Sequence, residues 1–254
     1  MARPDRRRLR FFRHAMPGFL ILAASLILAA CQMARMALPA NLAAGAQEMV
    51  CRGRQGFKFN EAFTFLPFKV FDVHRSWTTI QGWDDAWIDS ARAKQRYQFS
   101  VEEPGQPVWD GQCAVGAEFT TVELRRFFGG ELEIQTEGIQ TLLGLLRERG
   151  GKKPWKLVLG QQTGEMSMSG VLERDDIRVA IEAQHRLAQT PLPVHDAAGY
   201  ILTLKRKAVA AVEVLNNGAV WIDPQASPEM RGALAAAASA LLLFQDLLTL
   251  NLDR

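Results

Sequence analysis

Residues Gly232 to Phe244 run for thirteen positions without a charge, and five of the first seven are alanine. A helix start stands just upstream: Ser227 is placed to cap, Pro228 suits the first helical position, and Glu229 favours the positive end of the helix dipole. At about 1.5 Å per residue the charge-free stretch rises about 20 Å, short of the roughly 30 Å of a bilayer core. A helix that is apolar all round must be buried all round. The rest of the chain therefore has to enclose it, and the alanines make it narrow enough to thread a tight space.

Most of the remaining sequence has the pattern of strands. Phe57, Phe59, Phe63 and Phe65 alternate with Lys58, Asn60, Ala62 and Thr64, the period of two that marks a half-buried strand. Extended character resumes over Phe68 to Ile80. Tyr97 to Glu103 and Gln106 to Val115 form a pair turning at Pro104 and Gly105, and Glu118 to Phe128 and Glu131 to Thr136 continue the pattern. Trp155 to Gln161, Glu165 to Arg174, Ile177 to Ala188, Tyr200 to Lys205 and Ala208 to Leu215 follow. Asn216, Asn217 and Gly218 then make a tight turn, since Asn and Gly tolerate positive φ, and Ala219 to Asp223 returns. One helix interrupts, because Ile139, Leu142, Leu143 and Leu146 stand at i, i+3, i+4 and i+7 and Gly150 with Gly151 ends the element. The expectation is a mainly β domain, a barrel or sandwich of about ten to twelve antiparallel strands, with a short mid-chain helix and a buried apolar C-terminal helix.

The order of elements over Gly199 to Val214, Trp221 and the helix from Met230 to Phe244 resembles the tubby C-terminal and phospholipid-scramblase-like barrels. The resemblance implies strands closed around a hydrophobic helix and binding of lipid through basic side chains. It assigns those side chains to no particular positions, although Arg147, Arg149, Lys152, Lys153 and Lys156, and again Lys205, Arg206 and Lys207, form basic clusters. Solvated turns are the default reading of such clusters.

The N-terminus states an address. Six arginines stand against the single acid Asp5 within residues 1–14, followed by an uncharged run from Ala15 to Ala30. This is the basic-then-apolar order of an export signal. Leu28, Ala29, Ala30 and Cys31 resemble the lipobox of bacterial lipoproteins, which implies cleavage before Cys31 and a diacylglyceryl thioether on its sulfur. Gln32 in place of an aspartate implies the periplasmic face of the outer membrane. The arginine cluster also loosely resembles a twin-arginine signal, leaving both export routes open. Residues 1–30 are then signal peptide, 31–50 a flexible tether rich in Ala and Met, and 51–254 one β-rich domain.

Losing the signal removes six arginines and one aspartate, turning the net charge of +3 into −2. Neither charge nor compartment suits a nucleic-acid partner. The expected partners are the membrane, through Cys31, and a lipid or an envelope protein. With Cys31 lipidated, Cys51 and Cys113 form an even pair in an oxidising compartment, which predicts a disulfide closing a loop of about 60 residues, worth about 4 kcal/mol in the chain-entropy account.

Chemistry-bearing motifs are sparse. Trp77, Trp83 and Trp87 stand among Asp84, Asp85 and Asp89, a composition that serves a sugar platform but more commonly means core indoles beside a solvated turn. The acids lack the alternation and turn glycine of a calcium loop, the cysteines and histidines lack zinc spacing, and no GxSxG occurs, so no metal or cofactor is expected. His185 keeps step with Ile177, Val179, Ile181 and Ala183, as a hydrogen-bonded core residue does; His195 and Asp196 stand in a proline-flanked loop. The sequence thus supports an envelope lipoprotein with a binding or assembly role. A tubby-like lipid binder and a hydrolase of envelope polymer using Asp84, Asp85 or Asp89 stand as alternatives.

Overall fold

The computed structural model describes residues 33–54, 61–76, 93–116, 141–151, 153–161, 168–190 and 192–252. Arg35–Arg254 is one of two compact units in the chain. It consists of a helical turn α1 (Ala40–Gly45), twelve strands and a long helix α2 (Pro228–Leu252). The strands are β1 (Met49–Val50), β2 (Glu61–Phe65), β3 (Phe68–Ser76), β4 (Ala93–Glu102), β5 (Trp109–Gly116), β6 (Thr141–Glu148), β7 (Trp155–Gln161), β8 (Met168–Arg174), β9 (Ile177–Gln184), β10 (Gly199–Leu204), β11 (Lys207–Glu213) and β12 (Ala219–Ile222).

From β2 to β12 each strand pairs antiparallel with the next, and β1 adds to β12 as the other edge. The two edges then meet. Just past β1, the Arg52 amide donates to the Thr64 carbonyl at 2.8 Å and the Thr64 amide donates back at 2.9 Å, so one bridge joins β1's extension to β2. The result is a nearly closed barrel, which leaves almost no free edge to template another chain.

Helix α2 occupies the lumen. Every residue from Ala233 to Phe244 is fully buried, and the helix meets β4, β5 and β6 on one part of the ring and β11 and β12 on another. The wall supplies bulk (Phe63, Phe65, Phe68, Tyr97, Trp155 and Tyr200 all point into this core) and the helix supplies slenderness. At the helix entrance the fit is tight. A Cβ on Gly232 would lie 2.2 Å from Trp109 Nε1, so glycine is what lets the helix pass the indole. The start is as the sequence predicts, with the Met230 amide donating to Ser227 Oγ at 3.3 Å. Asn216 and Gly218 take positive φ, 54° and 88°, in the turn between β11 and β12.

Three expectations are corrected. The stretch expected as a mid-chain helix over Ile139 to Leu146 is instead strand β6, Thr141–Glu148. Leu142 and Leu146 face the lumen while Leu143, on the other face, is also buried, and a strand apolar on both faces leaves a run that mimics helical spacing. Gly144 fits that strand closely, its would-be Cβ lying 3.2 Å from both Cys113 Sγ and Leu157 Cβ.

The flexible tether does not hold for Arg35–Val50. Met36 and Leu42 are buried with Leu38 and Ala46 against an outward apolar patch of the barrel formed by Ala208, Ala211, Ala219 and Trp221. Asn41 Nδ2 ties α1 to the Ala208 carbonyl at 2.8 Å.

The predicted disulfide is absent: Cys51 and Cys113 are both unbridged thiols and fully buried. Cys51 follows β1 and Cys113 lies in β5, so β2, β3 and β4 stand between them. Four strand spacings make about 19 Å of wall, against the roughly 7 Å limit for bridged Cα atoms. Burial pushes the Cys113 thiol up to about 12, which makes it inert at neutral pH. Thiol titration of the mature lipidated protein is expected to find no reactive sulfur under native conditions and two after denaturation without reductant; none after denaturation would indicate the bridge.

Candidate functional site

Along Ala233 to Phe244 the lumen is filled by α2, and polar side chains of the wall reach the helix. Tyr97 Oη donates to the Ala240 carbonyl at 2.8 Å, Arg54 Nη2 to Leu242 at 3.2 Å and Arg75 Nη1 to Leu243 at 3.1 Å. Three wall side chains thus grip one turn of the helix. Arg75 is itself held by Glu61, whose Oε2 accepts from Nη2 at 2.9 Å and from Nε at 3.3 Å. Glu61 is 3% exposed, and its Oε1 has no hydrogen-bond partner among the described residues. A buried unsatisfied oxygen costs about 1–3 kcal/mol. Burial raises the Tyr97 hydroxyl well above its ordinary range, with the neighbouring Cys113 adding to the effect. The phenol therefore stays neutral and donates.

The two ends of the barrel differ. At one end the connections are short hairpins: 66–67, 103–108, 149–154, 175–176 and 205–206. At the other end they are longer, with 77–92, 117–140 and 185–198 among them. The hairpin rim is laced by ion pairs between elements far apart in sequence. Arg231, in the first turns of α2, reaches Glu103 at 3.0 Å and stacks 4.9 Å from the centre of the Phe68 ring. Arg174 bonds Glu229 and lies 4.7 Å from the Trp155 ring centre. Lys153 bonds Asp175 at 2.7 Å and Lys207 bonds Asp223 at 2.5 Å. Beside the helix entrance is a hollow of about 210 Å³ with Phe68, Val101 and Trp109 in its walls and Glu103, Glu148 and Glu229 about it. A second, of about 300 Å³, lies between the hairpins around Lys153, Lys156, Glu173 and Arg174. On the adjoining outer wall, a polar depression of about 300 Å³ spans β3 to β6, with Asp72, His74, Asp110 and Arg149 among its lining. There Arg149 bonds both oxygens of Asp110, whose Oδ1 also accepts from Ser100.

Lys205 and Arg206 form the tip between β10 and β11, both at positive φ (48° and 69°). Left-handed backbone is unfavourable for residues with a Cβ, by about 1–2 kcal/mol each. The two-residue hairpin requires it nonetheless. The tip therefore presents adjacent cations where Asn-Gly would close the turn with less strain.

The residues singled out in the sequence fall in separate places. Cys31 and the aspartates Asp84, Asp85 and Asp89 lie outside the described residues, as do Lys152, Phe57 and Phe59 and the strands expected over 118–136. Cys51 and Cys113 are core thiols. His185 is half-buried, its Nδ1 3.2 Å from the Val194 carbonyl, while its Nε2 has no hydrogen-bond partner among the described residues, so the expected core arrangement is only half satisfied. His195 and Asp196 make an exposed pair at 3.1 Å, 75% and 89% accessible. Among the described residues no group of three or more His, Cys, Asp or Glu side chains is placed to hold a metal ion. Arg149, Lys153 and Lys207 of the two basic clusters lie at the hairpin rim, where Asp110 of β5, Asp175 of the β8–β9 hairpin and Asp223 after β12 engage them. Sequence reasoning missed the grip of Arg54, Arg75 and Tyr97 on the helix. Its one available signal was Glu61, a carboxylate interrupting an aromatic face.

No family model, no curated protein and no solved structure matches this chain. Its chemistry therefore has to be argued from its own residues.

Two predictions follow from these contacts. Arg75→Leu strands Glu61 in the core and is expected to cost about 3–5 kcal/mol by denaturant unfolding, whereas Glu61→Leu with Arg75→Leu removes both charges and regains most of that loss. Acid should loosen the hairpin rim. Arg174 holds Glu229 below the usual carboxylate range, Lys207 with the Gln225 amide does the same for Asp223, and Lys153 for Asp175. A carboxylate whose folded pKa is lowered contributes stability above its unfolded value, near 4, and loses it as pH falls through the folded value. Burial raises Glu173, giving a contribution of opposite sign. The melting temperature is expected to fall on acidification below about pH 4, and Glu229→Gln should lower it at pH 7 while reducing the acid-induced fall.

Proposed function

We propose that the protein is a membrane-anchored envelope lipoprotein whose barrel is a non-enzymatic binding or assembly module, engaging its partner on the rim and walls and not in the lumen. The observation that carries this reading is the continuous burial of Ala233 to Phe244. An antiparallel barrel that carries a small ligand inside, as lipocalins do, keeps its interior open for it. Here the interior along Ala233 to Phe244 is given to the protein's own helix, and three hollows among the described residues lie outside it. The Leu28 to Cys31 quartet supports a lipid on Cys31, and Gln32 supports the periplasmic face of the outer membrane.

A second reading, a tubby-like lipid-binding barrel, is favoured by a different observation: a twelve-stranded wall around an apolar helix, with Lys205 and Arg206 exposed at a hairpin tip. The hydrolase reading rests on Asp84, Asp85 and Asp89 alone.

Palmitate labelling of cells expressing the wild type and Cys31→Ser tests the anchor. Label is expected on the wild type and absent from the variant; label on the variant would place the lipid elsewhere. The unlipidated Cys31→Ser protein, sedimented with anionic and with neutral vesicles, separates the two binding readings. The accessory-module reading expects no saturable binding to either, and saturable, salt-sensitive binding to anionic vesicles would favour the lipid binder.

A further inference from the structure

We propose that the barrel stands end-on to the bilayer, with the long-connection end against the lipid surface and the hairpin rim pointing away from it. This rests on the reading of Cys31 as the lipidated residue and deepens it.

The chain is held firmly to the barrel from Arg35 onward, four residues after Cys31. Arg35 Nε donates to both oxygens of Glu213, at 3.0 and 3.2 Å, and the Met36 amide donates to Glu213 Oε2 at 2.7 Å. The Arg35 carbonyl accepts from the Ala188 amide, and the Ala37 amide donates to the Arg186 carbonyl, each at 2.9 Å. Glu213 ends β11, and Arg186 and Ala188 follow β9, so Arg35 is fixed at the long-connection end. Glu213 is 3% exposed beneath these contacts, which makes this a built attachment.

Cys31 precedes Arg35 by four residues. Even fully extended, four residues span about 14 Å. The seven residues of β11 that separate Glu213 from the hairpin rim cover about 23 Å along the strand. A diacylglyceryl group on Cys31 therefore cannot lie in the bilayer while the hairpin rim rests on it, unless the packed segment after Arg35 is torn from the wall. Leu192, 70% exposed, belongs to the same connection as Arg186 and Ala188 and offers the lipid surface an apolar contact, as Leu66, 65% exposed, does at the hairpin rim, so the orientation rests on the reach of the chain between Cys31 and Arg35. The cationic tip at Lys205 and Arg206 is then held at the far end, toward a soluble or envelope-borne partner.

The test uses the full-length, lipidated protein in vesicles containing lipid with a nitroxide on its headgroup, which quenches fluorophores close to the membrane surface. A thiol-reactive fluorophore is placed at Leu192→Cys or at Gln106→Cys on the hairpin rim; Cys51 and Cys113 are fully buried and stay unlabelled. Asp196→Cys and Lys153→Cys provide a second pair should either variant fold poorly. Strong quenching at 192 and 196, with 106 and 153 matching a protein in nitroxide-free vesicles, is the expected result. Equal quenching at both ends, as for a barrel lying on its side, or stronger quenching at 106 and 153, overturns the orientation while leaving the anchor intact. An intact mass without lipid on Cys31 overturns the anchor itself, and with it this proposal.

Discussion

The structure depends on one solvation constraint. Helix α2 has no face that water would solvate well over Ala233 to Phe244, so it is stable only if something apolar surrounds it. A single sheet face would cover one side, whereas a sheet curled round on itself covers all of them. The reverse dependence also holds: a ring lined by Phe63, Phe65, Tyr97, Trp155 and Tyr200 would have a void at its centre without a filler, and voids in a core are costly. The small side chains of the helix and the large ones of the wall solve one packing problem between them. Gly232 against Trp109 marks where the tolerance is least.

Hydrophobic packing is non-directional and would leave the helix free to slide or turn in its sheath. The polar contacts supply direction. Tyr97, Arg54 and Arg75 take the carbonyls of Ala240, Leu242 and Leu243 near the middle of the helix, while Arg231 and Glu229 in its first turns are tied to Glu103 and Arg174. The helix is thereby held at its start and at its middle by residues from separate parts of the wall. The same filling moves any recognition to the outside of the barrel, where the two ends are chemically unlike.

Much of this was legible wherever a local pattern and the tertiary environment agree. The helix start at Ser227 and Pro228, the Asn216 to Gly218 turn and the alternation at Phe63 and Phe65 each carry their own physical reason, independent of the rest of the fold. The misreadings share a cause. Leu142, Leu143 and Leu146 belong to a strand buried on both faces, and burial of its outer face, at Leu143, is tertiary and leaves no local sign that separates such a strand from a helix. Met36 and Leu42 show no period because the surface they cover is made by β10 to β12, more than 150 residues away. The pairing of Cys51 with Cys113 was a parity argument, and parity carries no information about strand order. The ion pairs of the rim, such as Arg174 with Glu229, join residues whose proximity follows from closure alone.

The central claim is that the helix is enclosed and that wall and helix stand or fall together. Amide hydrogen exchange measures this directly. Leu234 to Leu243 should exchange only through global unfolding, with opening free energies equal to those of the slowest amides in β4 to β7 and responding equally to denaturant. Exchange of those helix amides at a lower free energy than the neighbouring strands would mean that the barrel persists with the helix loosened or withdrawn, and would contradict the account.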